Sequence, residues 1–87
     1  MLKIQRTSNG QVVFALSGQI DEEDIAELEV LLRSEKRDRR IVLDLKDLTL
    51  AGRDVIGFLV HCEAEGITLE HCAAYVREWI ARERRRS

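Results

Sequence analysis

Proline is absent from this chain of 87 residues, and aromatic residues make up only 5% of it. With no proline, no repeat and no low-complexity tract, nothing marks a linker, and residues 1–87 read as one domain. A domain of that size buries roughly 60–65% of the surface its unfolded chain exposes, which limits it to a small core. An excess of either charge is missing too. Lys and Arg number 14 against 16 Asp and Glu, so no overall basic field points to nucleic acid. No apolar run approaches the roughly 20 residues needed to cross a membrane, and the first residues lack the basic-then-apolar layout of a signal peptide. The expectation is a cytoplasmic protein without direct membrane insertion. Cysteine is scarce: Cys62 and Cys72 both sit in patterned segments and read as thiols in a reducing compartment rather than a disulfide framework.

What is present is organised around residues 40–59. Ile41-Val42-Leu43 is a continuous apolar run without alternation, which suits a strand covered on both faces. A loop is expected next, and then Val55, Phe58, Leu59 and Cys62 recur at the spacing of one helix face. Gly52 permits a tight turn between the two, and Asp54 stands where the first helical turn favours a negative charge.

Upstream, Leu2–Arg6 and Gln11–Leu16 are rich in strand formers. Thr7-Ser8-Asn9-Gly10 joins them, and Asn-Gly tolerates the positive φ angles of a type I′ turn, so an opening hairpin is predicted. Ser17–Asp21 ends it. Asp21, with Asp24 three residues on and Glu22 and Glu23 between, is a helix N-cap pattern, and Ile25, Leu28, Leu31 and Leu32 form the stripe that follows. Residues 34–39 read as a solvated, mostly basic loop. Downstream, Gly66 fits a helix C-cap, Ile67-Thr68-Leu69 begins a strand, and Cys72 to about Arg84 is a last helix carrying Val76, Trp79 and Ile80.

Two of these segments resemble the STAS family, the sulfate-transporter and anti-sigma-factor-antagonist domains. Ile41-Val42-Leu43-Asp44-Leu45 is similar to that family's central strand, and Ile56-Gly57 to the Leu-Gly of the Asp-Ser-Ser-Gly-Leu-Gly segment that opens its next helix. Leu16-Ser17-Gly18 with Ile20-Asp21 resembles a second signature, Leu-x-Gly-x-Leu-Asp, which precedes the family's first helix. The middle departs: Gly52, Arg53, Asp54 and Val55 stand where the family has Asp, Ser, Ser and Gly. In that register Asp54 takes the place of the serine that an anti-sigma kinase phosphorylates, and no hydroxyl remains there.

The resemblance covers about residues 2–70 and implies an α/β fold of order β-β-α-β-α-β-α, a mostly parallel sheet opened by a hairpin and flanked by helices. Family members carry one more strand and helix, so it also implies a C-terminally shortened domain. The implied role is regulatory protein binding without catalysis or cofactor, through Ala51, Gly52, Arg53, Asp54, Ile56, Gly57 and Val60. An anti-sigma factor kinase is the implied partner; the alternative is a transporter ATPase on which the chain docks as a small subunit.

Side chains that could carry chemistry are few. His61-Cys62 and His71-Cys72 invite a zinc reading, but adjacent helical residues point about 100° apart and do not easily share one ion. Asp44, Asp47 and Asp54 fall around the strand-to-helix loop, where open α/β sheets bind ligands, although each also has a structural use in capping or turn formation. An enzyme built on Asp44, Asp54 and His61 requires a fold that gathers the three. Ile56 and Val60 lie about 100–140° from the apolar stripe of their helix. That strip is either a contact surface, supporting a homodimer, or is covered within the chain by the last helix through Trp79 or Ile80.

Overall fold

The computed structural model describes residues 2–35, 39–50 and 53–86, with the backbone alone at Leu50. Its elements are β1 (Leu2–Ser8), β2 (Val12–Ile20), α1 (Glu22–Arg33), β3 (Ile41–Leu50), α2 (Arg53–Ala64), β4 (Thr68–Glu70) and α3 (Ala74–Arg86). The fold is therefore α/β in the expected order β-β-α-β-α-β-α. The strands form one four-stranded mixed sheet in the order β1-β2-β3-β4, with β1 antiparallel to β2 and the two remaining pairs parallel.

The hairpin is longer than its sequence suggests and turns differently. Ser8 pairs with Val12, leaving Asn9, Gly10 and Gln11 as the loop, and only Gly10 takes a positive φ, of 78°. A two-residue type I′ turn is thus replaced by a three-residue one. Beyond Leu16 the strand does not stop. Ser17, Gly18, Gln19 and Ile20 continue β2 and pair in parallel with Asp47, Leu48, Thr49 and Leu50, where a loop was expected. The two halves of this pairing are offset: Ala15 faces Asp44 and Ser17 faces Asp47, so β3 carries one residue more than β2 and bulges there.

The helices pack against the sheet face that bears Val12, Phe14, Leu16, Leu43 and Leu45, which share a core with Leu28 of α1, with Val55, Ile56, Phe58, Leu59 and Cys62 of α2, and with Val76 and Ile80 of α3. Complete burial of one such aliphatic side chain is worth about 1.5–3 kcal/mol. Val42 is also buried, at 1% exposure, but lies outside that core, on the opposite face, in register with Val13 on one side and Thr68 on the other. Its apolar character thus follows from a central position in the sheet.

Local chemistry fixes the ends of the helices. Asp21 accepts hydrogen bonds from the backbone N–H of Glu23 and Asp24 while the Asp24 carboxylate accepts from the Asp21 N–H at 3.0 Å, a reciprocal capping box. At the other end of α2, Gly66 adopts φ 91°, its N–H reaches the Glu63 carbonyl and the Ile67 N–H reaches the Cys62 carbonyl, which is the Schellman arrangement. The connection after α1 is more than a solvated loop: Glu35 takes a two-pronged contact from Arg6 at 2.7 and 3.0 Å, and Arg39 donates to the Ser8 hydroxyl. Both tie it to β1. Residues 36–38 of that connection lie outside the described residues.

Candidate functional site

The start of α2 comes three residues after the last residue of β3, at the sheet end where parallel sheets present ligand-binding loops. Ala51 and Gly52, two of the expected contact residues, lie outside the described residues. Arg53 and Asp54 open the helix and are both exposed. The Arg53 guanidinium lies 3.8 Å from Glu83 of α3, a long ion pair that leaves two-thirds of its side chain in solvent. One turn on, Gly57 is exposed, and a Cβ placed there would meet nothing within 4 Å among the described residues.

Ile56 does not belong to this surface. It is fully buried, because α3 packs along α2 and brings Val76 and Ile80 into the same core. The strip of Ile56 and Val60 is therefore covered within the chain at Ile56, whereas Val60 is half-buried and keeps some accessible surface. Of the two candidates on α3, Ile80 is buried in the shared core, at 2% exposure, while Trp79 turns outward at 38%. Hydrophobic period alone cannot separate a helix covered on one side from a helix covered on two.

Asp44 lies on the sheet face opposite the helices, since its register partners are Ala15 and Glu70. Its Oδ1 accepts from the Lys46 backbone N–H at 3.1 Å, an amide turned away from the ladder by the bulge, and lies 2.9 Å from Nδ1 of His71. His71 takes a positive φ of 56° immediately after β4. Burial raises the Asp44 carboxyl, but the Lys46 amide, the His71 contact and the nearby positive charges outweigh it and hold the group below its ordinary value of 3.8. The same bulge puts Asp47 on this face three residues from Asp44, and together with Lys3, Gln5 and Ser17 they line a shallow depression of about 370 Å³.

Asp44, Asp54 and His61 are not gathered. Asp44 is engaged with His71, and His61 lies 3.5 Å from Glu65 on its own helix. Among the described residues no hydrogen bond links any two of the three, and no group of three or more His, Cys, Asp or Glu side chains is arranged to hold a metal ion. Cys62 is buried in the core, where desolvation, with Glu29, Glu65 and Glu63 nearby, pushes its thiol up to about 12. Cys72 is half-buried and also raised, by burial first. The pairing of Asp44 with His71 was missed from sequence, where His71 drew notice only beside Cys72; its signal is the parallel register that sets Glu70 beside Asp44 and the next residue within reach.

No protein-family model matches the chain, and no match is found among curated proteins. Among the described residues no helix is long and apolar enough to cross a membrane.

Proposed function

We propose that this chain is a regulatory protein-binding domain similar to the STAS-family anti-sigma factor antagonists, and that it meets its partner through the start and outer side of α2: Arg53, Asp54, Gly57 and the accessible part of Val60. The partner that this reading favours is a kinase-type anti-sigma factor. The observation that carries it is Gly57. A glycine inside a helix costs about 0.5–1 kcal/mol relative to alanine. With open space where its Cβ would stand, nothing in the packing of the described residues calls for that cost. Close approach of a partner's backbone does call for it.

Asp54 sets the state of this surface. A phosphate in the first turn of a helix brings a charge of about −1.5 to −2, whereas a carboxylate brings a smaller one with fewer acceptor oxygens. The dipole at the start of α2 favours either by about 0.3–1 kcal/mol. In this reading the domain occupies one permanent, partly phosphate-like state, and no serine at that position can toggle it.

The experiment is a calorimetric titration of a kinase-type anti-sigma factor from the same genome with wild type, Gly57→Ala and Gly57→Arg. Both variants should fold, and Gly57→Ala should melt higher. Gly57→Arg should bind at least about tenfold more weakly, a loss of about 1.4 kcal/mol. Unchanged affinity for a folded Gly57→Arg would refute this surface.

A further inference from the structure

Among the described residues, the large apolar side chains that stand exposed are Val30, at 60%, Tyr75, at 57%, and Trp79, at 38%. All sit on the outer sides of α1 and α3, and α2 packs against both of those helices. Toward the start of α1 and toward the end of α3 the exposed charges in line with these patches have opposite sign, while Arg33 and Glu83 beside them are paired with Glu29 and Arg53. On α1, Glu23 and Glu27 precede Val30 at seven and three residues, along one exposed helix face. On α3, Arg82 and Arg86 follow Trp79 at three and seven residues, again along one exposed face.

The spacings are mirror images. Laid antiparallel, the two stripes place Val30 against Trp79, Glu27 against Arg82 and Glu23 against Arg86, in a contact about 10.5 Å long at 1.5 Å per residue. Glu23, Glu27 and Arg86 enter no salt bridge among the described residues, and Arg82 reaches only the exposed Glu78 of its own helix, at 3.0 Å. Within one chain the stripes lie on helices that flank α2.

We propose that the occupant of each stripe is the other stripe of a second copy: the chain associates through α1 of one copy against α3 of the next. An aromatic anchor, Trp79, against the aliphatic Val30 supplies the desolvated centre, and the carboxylate–guanidinium pairs fix direction and register. One helix pair buries little area, so the association belongs to the weak class seen at high micromolar concentration, and salt loosens it because its pairs lie at the rim. This surface is separate from the start of α2, and the inference stands or falls independently of the function proposed above.

Two charge-reversed variants test it by sedimentation or light scattering at low and high salt. Glu23→Arg with Glu27→Arg reverses the α1 stripe; Arg82→Glu with Arg86→Glu reverses the α3 stripe. Each alone should lose self-association by at least about tenfold in affinity, because each then opposes like charges. An equimolar mixture should recover it, since the basic α3 of the first variant meets the acidic α1 of the second. Should circular dichroism show a double variant unfolded, Glu23→Arg and Arg86→Glu carry the same comparison as single changes. A wild type that stays monomeric at low salt overturns the proposal. So does a mixture that does not recover. Loss confined to the α3 variant also overturns it, and assigns Trp79 and its arginines to an acidic partner of another kind.

Discussion

The carboxylate of Asp44 holds Nδ1 of His71 at 2.9 Å and so ties the residue that follows β4 to the middle of β3. Strand β4 has only three residues, Thr68–Glu70, and leans on β3 alone within the sheet. A side-chain contact just past its last ladder pair therefore extends the hold of the sheet on the chain that leads into α3, at a residue whose backbone is left-handed.

This contact gives stability a defined pH dependence. The Asp44 carboxyl titrates below its ordinary value of 3.8 in the folded state, so its contribution is complete above that value and is lost as pH falls through the lower folded one. Replacing Asp44 by Asn should cost no more than about 1 kcal/mol at neutral pH, because the pair is partly solvent-exposed. It should also flatten the fall in stability below about pH 4, measured by urea melts across the acid range. An acid limb as steep in Asp44→Asn as in wild type would show that Asp44 is not one of the carboxylates whose protonation destabilises the fold.

Helix α3 is part of the core, and its inner residues should behave so. Ile80→Ala and Ile56→Ala each remove a side chain from a buried site and should destabilise by about 2–5 kcal/mol. Removing residues 75–87 should abolish the cooperative thermal transition, because Val76 and Ile80 leave the core together. Trp79→Ala, at a position 38% exposed, should cost markedly less than Ile80→Ala. Equal losses at the two positions would place Trp79 inside.

The thiols should separate by reactivity. Cys62 is buried and raised to about 12, so an alkylating reagent at mildly alkaline pH should leave it untouched in the native state. Half-buried Cys72 should react first, though more slowly than a free thiol since its own value is raised. Mass spectrometry after timed labelling reads both rates, and early modification of Cys62 would contradict the packing of α2.

Much of this architecture could be read from residues whose consequences are local. Asp21 with Asp24 announces a capped helix, Gly66 a helix end, and the order of elements follows from where apolar periods begin and stop. The features that escaped depend on distant partners. Lys46, Asp47 and Thr49 look like a loop until the tail of β2 supplies a parallel neighbour for them, and the bulge between Asp44 and Asp47 has no signature in either strand alone. Ile56 reads equally as a contact residue or as one covered by the last helix, and only the packing of α3 on α2 decides between the two. At the candidate site, Arg53, Asp54 and Gly57 were named from the family resemblance, and the structure leaves all three exposed in the first turns of α2. The partnership of Asp44 with His71, across 27 residues of chain, was not legible in the sequence.

The central claim is that a protein partner is met at the start of α2, and amide chemical-shift mapping tests it most directly. Uniformly labelled protein is titrated with the kinase-type anti-sigma factor, with Gly57→Arg as the comparison. The account predicts that the largest changes fall on Arg53, Asp54, Gly57 and Val60, that Ile56 follows only through its backbone, and that Gly57→Arg removes them. Changes confined to the depression beside Asp44 and Asp47, or a pattern that Gly57→Arg leaves intact, would contradict it.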